Sequence, residues 1–109
     1  MDELNAEAGD SLTFDLAEDS DGSPLLTLTG ELDMSNADQL EAAVAPVIAD
    51  TPPRLIVDTS GLRFGDSTAI ALFVKWSSVV GEVELRDPPE LLRRVIARMG
   101  LSERLRVLP

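Results

Sequence analysis

Hydrophobic and polar positions divide the N-terminal part of the chain into two short strands. Leu12, Phe14 and Leu16 alternate with polar residues, which is the period of a half-buried strand. A turn-forming run at residues 18–23 separates this segment from a second apolar run at residues 25–32. Because the connection is short, we expect the two strands to pair antiparallel.

Apolar residues at helical spacing follow the second strand. Ser35 is a candidate N-cap, and Asp38 three residues later completes a weak capping box. Pro46 lies inside the pattern, so we expect a kink or a separate last turn there. The apolar positions of this predicted first helix are Leu40, Ala43, Val44, Val47 and Ile48.

The central segment predicts a strand, a loop and a helix. Arg54 to Asp58 is a short apolar strand, and residues 59–65 are a turn-rich loop. Asp66 is a candidate N-cap for a second helix that runs to about Val80. Ser67 then occupies the first helical position, where free amides and the helix dipole favour an added anion.

The last third of the chain predicts a strand, a helix and a short final segment. Gly81 suits the C-cap of the second helix, and a fourth strand follows at residues 83–85. Asp87 is the candidate start of a third helix, and Gly100 ends it. Residues 105–108 are either a last short strand or a docked tail. The predicted apolar face of the third helix contains Leu91, Leu92, Val95, Ile96 and Met99.

This order of elements predicts an α/β fold. Strands that are separated by helices need crossover connections, so they should pair in parallel. We expect a mixed, mostly parallel sheet of four to five strands, with an antiparallel N-terminal edge strand, covered by about three to four helices. Residues 1–10 are predicted to form a flexible acidic tail, and residues 11–109 a single domain.

Composition narrows the classes of function. The formal net charge of −11 argues against nucleic acid and anionic membrane surfaces as partners. Without histidine or cysteine, the chain lacks the commonest general base and the thiol nucleophile, so we expect no enzyme and no metal centre. Residues 1–10 lack the basic-then-apolar order of a signal peptide, and no apolar run is long enough for a membrane span. Because cysteine is absent, we expect a reducing cytoplasm as the compartment.

Three sequence blocks, in order, match one known family. Residues 30–33 read G-E-L-D, residues 57–68 contain D-x-S-G followed by D-S-T, and residues 99–101 read M-G-L after a basic amphipathic helix. From about Leu12 to Val107 the chain therefore resembles the STAS domain of bacterial anti-sigma factor antagonists. Its second helix is about one turn shorter than in relatives, and residues 76–80 are where we expect the partner surface to differ.

The resemblance implies a partner switch. An unphosphorylated antagonist binds an anti-sigma factor that is also a serine kinase of histidine-kinase-like ATPase fold. Phosphorylation from ATP separates the two proteins, and a serine phosphatase restores binding. Matched by position, the phosphoacceptor is Ser67, with Thr68 as the alternative. The expected partner-binding residues are Asp33, Asp66, Ser67, Thr68, Ile70 and Trp76. The resemblance implies no cofactor, and it leaves a homodimer open.

Two other functions remain open for a STAS domain. One is an accessory subunit of a membrane (lipid-trafficking) ABC transport complex, and the other is a signalling or scaffold module that is not phosphorylated. Ser67 would then be an ordinary helix-start residue, and Asp66 its cap.

Individual residues also have alternative interpretations. Asp33, Asp58 and Asp66 follow parallel strands and could hold Mg²⁺. The favoured interpretation is that the first two bind loop amides and that Asp66 caps a helix. Trp76 fits the core better than an interface. The third helix carries Arg93, Arg94 and Arg98. The simplest interpretation is that they form a solvated face. A site for phosphate or an acidic partner is the minor alternative.

Overall fold

The computed structural model describes residues 4–8, 11–65 and 67–109, with only the backbone for 4–8, 64 and 65. The strands are β1 (Leu4–Ala8), β2 (Leu12–Glu18), β3 (Pro24–Leu32), β4 (Leu55–Gly65), β5 (Val83–Arg86) and β6 (Leu105–Leu108). The helices are α1 (Ala37–Ala49), α2 (Ser67–Ser77) and α3 (Glu90–Arg98). The strands form one sheet in chain order, in which β1–β2 and β2–β3 are antiparallel and the remaining pairs are parallel. The predicted α/β class is confirmed.

The sheet has six strands, one more than the sequence predicted, because the N-terminus contributes β1. Leu4–Ala8 pairs antiparallel with β2, with Leu4 opposite Leu16 and Ala8 opposite Leu12. These five residues form a strand within the segment for which the sequence predicted a tail. A free edge of β2 would leave backbone amides and carbonyls unpaired, and β1 satisfies them. The mixed composition of β1 gives no periodic signal.

All three helices cover the same face of the sheet. Parallel crossovers are right-handed, and strands that follow chain order place each crossover on the same side. Residues from that face and from the helices form one buried cluster, which includes Phe14, Leu28, Val57, Phe73, Leu85 and Ile96. Ile56 and Glu84 alternate with these positions and face the uncovered side of the sheet, although they are 0% and 2% exposed.

Strand β4 extends through the segment that was predicted as a loop. Within residues 59–65, positions 61, 62, 64 and 65 pair with β3, and two register shifts each insert one extra residue into β4. Gly61 lies at the first shift, where an added Cβ would be 2.9 Å from the Leu28 carbonyl oxygen. The turn-forming residues therefore indicate a bulged strand, since glycine permits the close approach of the neighbouring backbone.

The start of α1 differs from the predicted capping box. Asn36, and not Ser35, is the N-cap residue, and no side chain caps the helix. The Ser35 hydroxyl donates instead to Asp33 Oδ1 at 2.5 Å. Pro46 neither ends the helix nor separates its last turn, because α1 continues to Ala49.

The end of α2 is earlier than predicted. The helix stops at Ser77, and Val80 is held by a hydrogen bond from its amide to the Trp76 carbonyl oxygen at 3.0 Å. Gly81 is not its C-cap. An added Cβ there would be 2.4 Å from the Pro53 carbonyl oxygen, so this glycine allows two backbone segments to meet.

Helix α3 begins later than predicted and buries fewer residues. It starts at Glu90 with Pro89 as the N-cap, whereas Asp87 has a left-handed φ of 50°. Leu91 and Met99 are each 60% exposed, so they do not belong to the buried face that the sequence predicted. Gly100 ends the helix as expected, with a φ of 70°.

The final segment of the chain is a strand. Leu105–Leu108 pairs parallel with β5, which decides between the two expectations for this segment. Among the described residues, every helix is too short or too polar to cross a bilayer.

Candidate functional site

The expected site residues gather at the edge of the sheet where the parallel strands end. Strands β3 and β4 end side by side, with Leu32 paired to Gly65. The chain then enters α1 through the loop at Asp33, and α2 begins at Ser67. Two of the three sequence blocks are thus brought to one rim of the domain.

Gly30 explains why the first block begins with glycine. Its φ of 110° is unfavourable for residues with a side chain, and an added Cβ would be 2.1 Å from the Ser11 carbonyl oxygen. The Glu31 amide donates to the same oxygen at 2.9 Å. The glycine therefore allows β2 to approach the strand that leads to the rim.

The Asp33 loop is held by its own side chains. Asp33 Oδ1 accepts a hydrogen bond from the Ser35 amide at 2.9 Å. Asn36 is 1% exposed; its Nδ2 donates to the Glu31 carbonyl oxygen at 2.8 Å, and its Oδ1 accepts from the Asp33 amide at 3.0 Å. Asp33 thus has a structural role, and the loop presents Met34, which is 81% exposed, to solvent.

Ser67 is exposed on the first residue of α2. The first amides of a helix have no partner within the helix, so a hydroxyl here lies beside free donors and the positive end of the dipole. Asp66, the predicted cap and partner residue, lies outside the described residues. The side chain of Ser67 is available for modification without unfolding the helix.

An apolar groove adjoins Ser67. It has a volume of about 440 Å³ and lies between α2 and the segment that follows α3. Its lining residues are Ser67, Ile70, Ala71, Val74, Lys75, Met99 and Leu101. The only charged group among them, the Lys75 ammonium, is paired with Glu41 of α1. We refer to this surface as the Ser67 groove.

Thr68 faces a different environment, on the α1 side of α2. It is half-buried, takes part in an interaction within the protein and lines a separate depression with Asp38 and Glu41. Lys75 also lines this depression and is paired with Glu41, so a group added to Thr68 would meet two carboxylates and one ammonium. Thr68 therefore faces charged side chains, whereas Ser67 faces an apolar groove.

Asp58 does not point to a metal site. Its Oδ1 accepts hydrogen bonds from the Ser60 amide at 3.0 Å and the Ser60 hydroxyl at 2.7 Å. Asp33 and Asp58 both bind local amides, as one of the sequence interpretations expected. In the described part of the chain, no three acidic side chains lie close enough together to hold a metal ion.

Two expected partner residues are buried. Ile70 is 4% exposed and Trp76 is 3% exposed. The Trp76 ring lies 6.0 Å from that of Phe73, between centroids, in a tilted arrangement. Trp76 therefore belongs to the core, as its sequence context favoured, and Ile70 contributes the floor of the Ser67 groove.

Sequence reasoning missed exposed apolar residues and one buried charge. The exposure of Met34 and Met99 was not predicted. For Met34 the sequence did contain an indication of exposure, because this methionine lies between the polar residues 33 and 35. Glu84 is 2% exposed on the uncovered face of the sheet and gave no signal, because its two neighbours on β5 are apolar.

Glu84 is the centre of a charged cluster that also contains Arg54, Arg86, Asp19 and Asp21. Arg86 Nε donates to Glu84 Oε2 at 2.9 Å, and Arg54 Nη1 donates to Glu84 Oε1 at 3.4 Å. The two arginines also pair with Asp19 and Asp21 of the β2–β3 turn. We call this group the Glu84 cluster.

The charges of the Glu84 cluster support one another. The hydrogen bond to Glu84 raises the pKa of Arg86 above its ordinary value. Hydrogen bonds with Asp19 and Ser23, together with the charge of Arg54, lower the pKa of the Asp21 carboxyl well below its usual range. The cluster ties the β2–β3 turn to the parallel part of the sheet.

Comparison with known proteins identifies the family. A family model described as "Mlab, STAS domain" matches residues 16–109. The anti-sigma-F factor antagonist RsfB of Mycobacterium tuberculosis is 33% identical over 105 residues, covering 92% of this chain and 84% of RsfB. The chain belongs to the STAS-domain family.

Solved structures agree with this assignment. An anti-sigma factor antagonist from Mycobacterium paratuberculosis superposes with a TM-score of 0.78 and 30% identity, covering 94% of this chain and 90% of that one. SpoIIAA in its unphosphorylated form gives a TM-score of 0.70 at 24% identity, covering 88% of both chains. The likeness to SpoIIAA concerns the fold.

Proposed function

We propose that this chain is an anti-sigma factor antagonist whose binding is controlled by phosphorylation of Ser67. With the hydroxyl free, the chain binds an anti-sigma factor and so releases a sigma factor. With Ser67 phosphorylated, the complex dissociates. The chain acts by binding and performs no chemistry of its own.

One observation carries the proposal: an exposed serine, at the first position of α2, lines an apolar groove. The names of the similar proteins support it, because RsfB and the Mycobacterium paratuberculosis protein are both described as anti-sigma factor antagonists. The Met34 side chain, 81% exposed on the neighbouring loop, adds apolar surface to the same rim.

The groove explains how a phosphate would act. Phosphorylation adds about −1.5 to −2 charges at neutral pH. The free amides of the first turn of α2 tolerate this charge, so the domain stays folded. A partner side chain seated in the Ser67 groove would, however, have to desolvate the phosphate, at a cost of several kcal/mol. Lys75 offers little compensation, because it is already paired with Glu41.

The proposal includes the enzymes that set the switch. The partner is an anti-sigma factor with serine kinase activity and a histidine-kinase-like ATPase fold, acting in the cytoplasm. The Ser67 hydroxyl attacks the γ-phosphate of ATP, ADP leaves, and the hydroxyl proton passes to a base of the kinase. A serine phosphatase hydrolyses the phosphoserine. Homodimerisation is not required by this scheme.

Phosphorylation of the purified chain tests the proposal. Incubation with the candidate anti-sigma factor and Mg-ATP should add the mass of one phosphate, and peptide mapping should locate it at Ser67. The Thr68→Ala variant should be modified as the native chain is, and Ser67→Ala should not. A gain of mass that survives Ser67→Ala, or no gain at all with an active kinase, would refute Ser67 as the acceptor.

A second candidate is the accessory subunit of a membrane transport complex. We retain this candidate because the matching family model is described as "Mlab, STAS domain", a description that does not mention sigma-factor regulation. Co-purification with a transport ATPase, independent of Ser67 substitutions, would favour this function. Co-purification with an anti-sigma factor, abolished by Ser67→Glu, would favour the switch.

A further inference from the structure

The outward face of α3 carries an unusual combination of side chains. Leu91 and Met99 are each 60% exposed, and the Arg94 side chain is 66% exposed. Arg98 is exposed as well. Leu91, Arg94 and Arg98 follow the i, i+3, i+7 spacing of one helix face. We call these four residues the α3 stripe.

The positive charge of the stripe is only partly neutralised by the residues that the structure describes. Arg98 forms no ion pair with any residue that the structure describes, and Arg94 pairs only with the exposed Glu90, at 3.0 Å. Arg98 lies near the C-terminal end of α3, where its positive charge interacts favourably with the helix dipole. This interaction does not explain why Leu91 and Met99 are exposed. Apolar side chains interleaved with arginines are typical of protein interfaces.

The stripe has the opposite sign to the rest of the chain. Residues 90–109 contain five arginines and two glutamates, whereas residues 1–89 contain four basic and 18 acidic residues. A positively charged surface on a protein of net charge −11 attracts acidic groups locally, whatever the total charge would predict.

The α3 stripe is continuous with the Ser67 groove, because Met99 belongs to both. A partner chain that fills the groove therefore reaches the stripe without a gap. We propose that α3 is the second half of the docking surface, and that it receives a partner surface with apolar side chains flanked by carboxylates. The identity of that partner as the anti-sigma factor rests on the proposed function.

Other occupants fit less well. An anionic bilayer would attract the stripe but would repel the much larger negative charge of residues 1–89. A second copy would bring together two chains of net charge −11. A protein partner that is acidic only at the contact avoids both costs.

Charge reversal tests the sign of the partner surface. At low salt, Arg98→Glu should weaken the affinity between the unphosphorylated chain and the anti-sigma factor about tenfold. The loss of affinity should diminish as salt is added. The matched control is Arg106→Glu, on the uncovered face of the sheet, which should change affinity less than about twofold. Tighter binding by Arg98→Glu would mean a basic partner surface and would overturn the proposal, and so would equal effects of the two variants.

A peptide probe makes the test independent of the proposed function. We would titrate the chain with a synthetic amphipathic helix that has leucines on one face and glutamates on the other. Amide NMR shifts should be largest from Leu91 to Met99 and should be lost in Arg98→Glu. Amide shifts elsewhere in the chain would overturn the proposal. Binding to phosphatidylglycerol vesicles that depends on Arg98, without binding of the peptide, would also overturn it. If the peptide binds as expected while Ser67 cannot be phosphorylated, only the proposed function fails.

Discussion

The Ser67 groove and the Glu84 cluster lie in two regions of opposite chemistry. Among the residues that the structure describes, the groove is lined mostly by apolar side chains, and the one charged group, the Lys75 ammonium, is paired with Glu41. The cluster contains five charged residues around a carboxylate that is 2% exposed, on the face of the sheet that no helix covers.

This difference separates function from stability. The charges of the Glu84 cluster are paired with one another and connect the β2–β3 turn to the parallel strands. The Ser67 groove has unfilled apolar surface and one hydroxyl, so a single added charge changes its chemistry completely. In this protein the shifted pKa values mark a structural tie, although such shifts often mark functional sites.

The largest expected effect comes from placing a charge in the groove. Ser67→Glu should lower affinity for the anti-sigma factor by about 3 kcal/mol, or roughly 100-fold, because the partner must desolvate a carboxylate. Thermal stability should hardly change, since an acidic residue is favourable at the start of a helix. Isothermal titration calorimetry and thermal unfolding measure the two quantities.

Ser20→Glu is the control for this substitution, because it adds the same charge at an exposed position in the β2–β3 turn, at the end of the sheet opposite the rim. It should leave affinity within about twofold of the native value. Equal losses in both variants would show that total charge, and not the groove, governs binding.

Removing the central charge of the Glu84 cluster should lower stability and leave partner affinity unchanged, which is the reverse of the effect of Ser67→Glu. Glu84→Gln should lower the free energy of unfolding by about 2 kcal/mol, because the two arginines lose a buried partner. The loss is smaller than for a fully buried ion pair, because Arg54 and Arg86 are 28% and 38% exposed and water partly solvates them. Urea denaturation measures the loss, and partner affinity should stay unchanged.

Glu82→Gln removes an ion pair with Arg106 that is exposed on both sides, so it should cost less than about 1 kcal/mol. A comparable loss from both variants would contradict a special role for Glu84. A loss of partner binding in Glu84→Gln would show that the cluster also affects binding, so the two regions would not have separate roles.

The smallest effect concerns Asp21 and pH. Its pKa is lowered in the folded state, so the ionised carboxylate contributes stability above about pH 4, the ordinary range of aspartate. That contribution should be lost as the pH falls below this range toward the folded pKa. The difference in unfolding midpoint between the native chain and Asp21→Asn should therefore shrink in acid. A difference that stays constant as pH falls would argue against stabilisation of the Asp21 carboxylate by its hydrogen bonds with Asp19 and Ser23 and by the charge of Arg54.

Local patterns predicted much of the fold. Residues with clear alternation or helical spacing gave β2, β3, α1 and β5 close to their observed positions. The pattern failed where pairing is decided by neighbours. Leu4–Ala8 became a strand because an open edge of β2 was available, and residues 59–65 became a bulged strand because β3 continues alongside.

The candidate site was predicted in part. Ser67 and Asp33 came from the family resemblance, and the structure brings their loops to one rim. The Ser67 groove was not predicted, because it is built from α2 and residues near Gly100 that lie about 30 positions apart in the sequence. The same reason hid the exposure of Leu91 and Met99, since a helical pattern does not tell which apolar positions a neighbouring element will cover.

The sequence by itself determined the order of the elements, the parallel part of the sheet and the serine at the start of α2. These features depend on local periodicity and on a few short motifs. Only the tertiary structure decided which side of α2 each hydroxyl faces: Ser67 toward an apolar groove and Thr68 toward Asp38 and Glu41. Two adjacent residues of a helix point about 100° apart, so they meet different neighbours, and those neighbours come from distant parts of the chain.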